Sequence, residues 1–293
     1  MAFRGYSPWC KINSTFSLKS LTAHVRAYAR PSRSRAVVNP SRPAPPAREV
    51  WVDPFKAPPP PKANFRILVR PALFTAVVLI LADPIADAFV ERRTKKPATK
   101  AERQAETSNT ILPIIGINVA IFGLWRVAPS FCHRIGALLI PYAPSPTQLI
   151  VSTFSHQDIF HLLFNQIVLY SFGSIICDTL GREHFLSFYL QAACVSSLAS
   201  VAASQAFVRM GFFDVSRLRV GTLGASGSLM AIVGTSTVIY PEMPVGIMFI
   251  PFVSFPLKYI MVGLVAFDVT GIAARWQTFD HAAHVSLLFH GLR

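Results

Sequence analysis

The stretch Gly221-Thr222-Leu223-Gly224-Ala225-Ser226-Gly227-Ser228 places a serine among glycines at the head of an apolar run. Glycines let the backbone turn and a substrate approach closely. A helix N-terminus there would add free N–H groups and the positive end of a dipole. The logic is that of a nucleophile elbow, although no strand precedes it, which argues against an α/β-hydrolase. Small residues in apolar helices also serve close packing, a use that suits Gly227, Ala231 and Gly234. A second group, His161-Leu162-Leu163-Phe164-Asn165, sets a histidine and an asparagine four apart on one helical face. Two such donors aimed at one point can stabilise an oxyanion, and the plainer reading is hydrogen bonding between helices. A third group is Asp280-His281-Ala282-Ala283-His284. A serine needs a base within hydrogen-bond reach. His284, beside small residues, can fill that role. Asp280 reads as a triad acid, and His281 as an anchor nearer the interface. Nucleophile, base and oxyanion donors on three separate apolar runs point to acyl transfer, with a polar cavity admitting water.

The elements that must carry these groups are membrane helices. Hydrophobic residues make up 52% of the 293, and charged residues only 14%, where a soluble domain has about a quarter charged. The fold expected is an all-α, polytopic membrane helix bundle. Apolar runs suited to spans cover residues 67–90, 111–125, 158–180, 183–207, 225–240 and 256–275, with a last piece at 279–293. Asp83 and Asp87 interrupt the first run on one helical face, turned either to the bundle or to the interface. Residues 91–109 read as a basic, polar loop. Trp125-Arg126 reads as an aromatic and basic anchor at an interface. Residues 133–142 form a short amphipathic piece, too short to cross.

Residues 1–48 hold nine Arg or Lys residues and no acid, the composition of a mitochondrial transit peptide; the alternative is a basic tail facing anionic lipid. A proline-rich linker follows. The organisation expected is therefore 1–62 leader and linker, 63–109 N-terminal span and basic loop, and 110–293 core. Nineteen of the 28 Lys and Arg residues precede residue 110. That distribution, without interleaved aromatics, makes nucleic acid an unsuitable partner for the net charge of +14. Cys10, Cys132, Cys177 and Cys194 form no CxxC pair and no metal-ligand spacing with histidine, so neither a disulfide framework nor a zinc site is expected. Basic loops flank the first span on both sides and leave orientation open.

HLLFN (161–165), GASG (224–227) and the Ala-His of the last run resemble the rhomboid intramembrane serine proteases over about residues 110–285. LWR (124–126), STFSH (152–156), LGREHF (180–185), LGASG (223–227) and FDHAAH (279–284) resemble the mitochondrial presenilin-associated rhomboid-like group in particular. The resemblance implies one N-terminal span before a six-span core, and a Ser226–His284 dyad rather than a triad. His161, Asn165 and the Ser226 backbone N–H would hold the oxyanion, Gly224 and Gly227 would shape the site, and Asp280 would not be catalytic. It also implies no metal, no cofactor, and substrates that are single-span proteins of the mitochondrial inner membrane, cut in or beside their spans. One departure stands out. The family continues after the last histidine with Leu-Gly-Gly-Ala-Leu-Phe-Gly; here Val285-Ser286-Leu287-Leu288-Phe289-His290-Gly291-Leu292-Arg293 follows. Leu287 in place of a glycine should push His284 away from Ser226, and a displacement of about 1 Å can cost 100-fold in rate. The last piece, at about 22 Å, falls short of a core of about 30 Å, so the final span is expected to be truncated. The rival is a catalytically impaired rhomboid-like protein that binds membrane clients without cleaving them. A small transporter or channel is disfavoured, because the core runs carry few charges along any one route.

Overall fold

Asn64 caps a 3-10 turn, Phe65–Leu68, by accepting the Arg66 N–H, and the chain continues into α1, Val69–Arg92. The computed structural model describes residues 64–93, 97, 99–136, 145–211, 223–246, 252–274, 276, 281 and 284. All lie within Pro58–Arg293, one of two compact units; the expected leader and linker at 1–62 fall outside the described residues.

The apolar run at 67–90 forms α1 through Pro84, which lies inside the helix. Its partner is α7, Arg182–Arg209, and the two pack along their length. Polar contacts run from end to end. The Asn64 N–H donates to Gln205 Oε1 at 3.0 Å. Asp83 Oδ1 accepts from Ser187 Oγ at 2.6 Å and from Gln191 Nε2 at 2.8 Å. Asp87 faces His184 at 3.5 Å, and Arg93 pairs with both Glu183 and Glu106. Asp83 therefore turns to α7, while Asp87 stays 64% exposed at the edge of the pair. Hydrogen bonds between membrane helices contribute about 0.6 kcal/mol on average and up to about 1.7. Asp83→Ala removes the acceptor of both bonds and leaves Gln191 Nε2 only its contact with Ser187 Oγ, so it is expected to destabilise the protein by about 1–2 kcal/mol, read as a lowered unfolding midpoint in detergent. Asp87→Ala, at an exposed pair, is expected to shift it by less than about 0.5 kcal/mol.

The polar stretch expected as a loop at 91–109 is helical over its second half. The second helix, α2, spans Lys100–Val127 and opens on a capping box, with Thr99 as N-cap and Glu102 returning to the Thr99 N–H. Hydropathy marks where a helix meets lipid, and this helix starts before that point. At its other end Trp125 is not an interfacial anchor: it is 5% exposed and packs on Cys132 and Leu223. Arg126 donates from Nη2 to the Gln157 carbonyl at 2.8 Å. The short amphipathic piece begins earlier than expected, as α3, Pro129–Gly136.

Next come α4, Pro146–Val151, and a 3-10 turn, Ser152–Phe154. Then α5, Ile159–Val168, leads through a π turn, Leu169–Gly173, into α6, Ser174–Leu180. The eighth helix, α8, spans Ser226–Ile239, and α9 spans Leu257–Ala273. Between them β1, Pro244–Gly246, pairs antiparallel with β2, Ser254–Pro256, with Val245 opposite Phe255. Four helical stretches among the described residues are long and apolar enough to cross a membrane: Phe65–Arg92, Lys100–Val127, Ile159–Leu180 and Arg182–Arg209. The fold is an all-α membrane bundle. Every residue of α8 from Gly227 to Gly234 is buried, the signature of a helix wrapped by its neighbours. Those neighbours are α5, α6, α7, α9, the π turn and the Ser152–Phe154 turn. Leu229 and Ile232 of α8 join Ile111, Leu169, Ile176 and Phe185 in the main core.

Candidate active site

Ser226 is the first residue of α8, as the glycine-flanked motif predicts, and it is half-buried. The turn before it depends on Gly224, whose φ of 113° disfavours any side chain. The Gly224 N–H donates to the Ser152 carbonyl at 2.9 Å. The His161 ring lies against Gly224: a Cβ there would stand 2.5 Å from His161 Cε1. Gly227 is buried one residue after the serine.

His161 and Asn165 take their places because Asp158 caps α5, accepting the His161 N–H at 2.8 Å. Asn165 is buried, and its Nδ2 meets His156 Nε2 at 2.9 Å. An amide NH2 has a second N–H, so this contact leaves one for other work. The Ala225 N–H also donates to His156 Nε2, at 3.4 Å. An imidazole nitrogen that accepts from a backbone N–H carries no proton, so His156 is neutral with its proton on Nδ1.

His156 is a residue to which the motif reading assigned no role. It is fully buried in the loop ahead of α5, edge-on to His161 with ring centroids 5.2 Å apart, and it ties the Asn165 amide to the serine turn. The available signal was its place at the end of STFSH (152–156), five residues before His161. Burial, with a smaller contribution from His161, lowers its pKa from the ordinary 6.5 to about 4. Between those values the unfolded chain binds a proton that the folded protein refuses. Stability from this group is thus complete above about pH 6.5 and is lost as pH falls toward 4. A drop in unfolding midpoint from pH 7 to pH 4.5 is expected, and it should flatten in His156→Gln.

The base region differs from expectation at His281. It is not an interfacial anchor: it is 3% exposed, and its Nδ1 donates to Asp268 Oδ1 at 2.6 Å. Its ring lies on Gly271, where a Cβ would come 2.5 Å from Cε1, with Phe267 and Trp276 at centroid distances of 5.5 and 6.2 Å. His284 Nδ1 donates to the same carboxylate oxygen at 3.1 Å. Asp268, a lone acid in the apolar run of α9, is 2% exposed and was overlooked in the sequence. His161 lies within electrostatic range of His284. Asp280, Leu287 and the expected truncated end lie outside the described residues.

The ligand atoms of Asp268, His281 and His284 lie within 4.8 Å of one another, so this trio has donors suited to a cation. Its 2.6 Å separation is that of a hydrogen bond. Two ligands of one tetrahedral zinc ion would stand about 3.3 Å apart. The arrangement is therefore a shared carboxylate.

A family model described as Rhomboid domain matches residues 144–292. The chain belongs to the rhomboid family. The match contains every residue of the candidate site and begins after α1 and α2. The chain is similar to presenilin-associated rhomboid-like protein A, mitochondrial, of Danio rerio, 32% identical over 191 residues, or 64% of this chain and 47% of that one. The Homo sapiens presenilin-associated rhomboid-like protein, mitochondrial, is 33% identical over 191 residues, 64% of this chain and 48% of its own. Rhomboid protein 1, mitochondrial, of Saccharomyces cerevisiae is 33% identical over 181 residues, 60% of this chain and 49% of its own. The chain thus spans about half the length of the curated relatives it matches. It is a mitochondrial, multi-pass membrane rhomboid.

Proposed function

We propose that this rhomboid is an intramembrane serine endopeptidase of the mitochondrial inner membrane, hydrolysing peptide bonds in or beside the membrane segments of single-span proteins. The observation that carries the reading is the position of His161, packed on Gly224 two residues before Ser226 and within electrostatic range of His284. It sets the His161 ring against the serine turn, with His284 close enough to be felt electrostatically.

In this reading Ser226 Oγ adds to the scissile carbonyl carbon as His284 Nε2 takes its proton. The oxyanion receives N–H groups from the Ser226 backbone, His161 and Asn165. The C–N bond breaks, the Nε2 proton passes to the leaving amine, and an ester remains on Ser226. Water then adds, gives a proton to Nε2, and releases the acid and the free serine. Gly224 and Gly227 keep the turn open to the substrate backbone. Each group the hydrolysis calls for belongs to the chain itself, so cleavage is expected to survive chelators.

The test is incubation of the protein in lipid vesicles with a single-span substrate, with mass spectrometry of the products. A cut in or beside the span is expected, together with labelling of Ser226 by a fluorophosphonate. Capture of the substrate without any cut, and no label on Ser226, would replace this reading with that of a client-binding rhomboid.

A further inference from the structure

We infer that Asp268 is the positioning residue for the base, so that the working unit is Ser226–His284–Asp268, with His281 as the strut that holds the carboxylate. The inference rests on the proposed roles of Ser226 and His284.

A carboxylate on an apolar helix is costly unless it is paired. Asp268 is paired twice, through one oxygen, with His281 and His284. A carboxylate only accepts, so both histidines carry their proton on Nδ1. That sets the tautomer of His284: Nε2 keeps its lone pair and is the nitrogen free to act as base. An acid that pins the base in this tautomer also stabilises the imidazolium formed as serine attacks. His281 makes the carboxylate a fixed point. Its ring is seated on the Gly271 backbone and flanked by Phe267 and Trp276, so the 2.6 Å bond anchors the same Asp268 oxygen that His284 uses. The acid nearest the base in sequence, Asp280, is not needed for this arrangement. Among the described residues, the charged and titratable groups around His284 are Asp268 on α9, His281 on its own segment, and His161 on α5 with Asp158 behind it.

The experiment compares Asp268→Asn and Asp268→Glu with the parent protein in cleavage assays across pH. Asp268→Asn is expected to lower kcat/KM by about 100- to 10,000-fold with KM little changed. Loss of the negative charge should also move the acidic limb of the rate profile to lower pH. Asp268→Glu should recover part of the rate and the original limb. Parent-like rate and profile in Asp268→Asn would overturn the inference, and so would a rate loss with an unmoved limb. If Asp268→Asn does not fold, the parent protein decides. In ¹⁵N-histidine-labelled protein, with His284 assigned by its absence in His284→Ala, the proton should sit on Nδ1. A proton on Nε2 would overturn the inference. The tautomer is read without cleavage, so its outcome is separate from failure of the protease reading, which persistent cleavage by Ser226→Ala would signal.

Discussion

His284→Ala is expected to lower kcat/KM by about 10,000-fold while leaving substrate capture intact, because it removes the proposed general base. Two other histidines stand near the serine turn, and neither is placed to substitute. His156 Nε2 already accepts the Ala225 N–H and meets the Asn165 amide. His161 packs its ring on Gly224, and its proposed role is that of an oxyanion donor, whose loss costs about 100- to 1,000-fold. The order of effects therefore separates the two roles: His284→Ala should be the deeper lesion, His161→Ala the shallower. Steady-state kinetics on a single-span substrate, with KM and kcat resolved, provides the check. The reverse order would make His161 the base.

Gly224→Ala is expected to cost at least about 100-fold in kcat/KM with the fold retained. Two penalties coincide at this position. An L-residue at a φ of 113° is strained, and its Cβ would meet His161 Cε1 at 2.5 Å. Either the turn carrying Ser226 or the ring of His161 must move, and about 1 Å of misplacement is enough for a loss of that size. Gly116→Ala is the control: it lies inside α2 with nothing within 4 Å of its added methyl, and activity there should not change. Unfolding midpoints of the two variants, measured beside their rates, distinguish a displaced site from a damaged fold.

The spans were legible because a long apolar run has few alternatives to a membrane helix. α1, α7, α8 and α9 each begin within about two residues of the expected positions. Hydropathy could not show that α2 begins at Lys100, since a polar helical turn outside lipid looks like a loop; the Thr99 and Glu102 capping pair carried that information. The serine at the head of α8 was legible from its glycines, which constrain the backbone locally. Partnerships across elements were not. Nothing near Asp83 in sequence tells that Ser187 and Gln191 will meet it. Likewise, the Asp268 carboxylate serves two histidines that lie 13 and 16 residues away, beyond the end of its helix. His281 and Trp125 look like interfacial anchors by type, and both are buried by packing that only the folded bundle creates. A lone acid or histidine in an apolar run states that a partner exists without naming it.

The central claim is that Ser226 is the nucleophile at a site assembled by α5, α8 and the segment carrying His284. Its most direct test is the rate of cleavage of a single-span substrate in vesicles by the parent protein and by Ser226→Ala, at equal protein and lipid. The expected result is cleavage by the parent at one bond in or beside the span, with the alanine variant indistinguishable from vesicles without protein while still capturing the substrate. Cleavage of the same bond by Ser226→Ala at the parent's rate would contradict the claim.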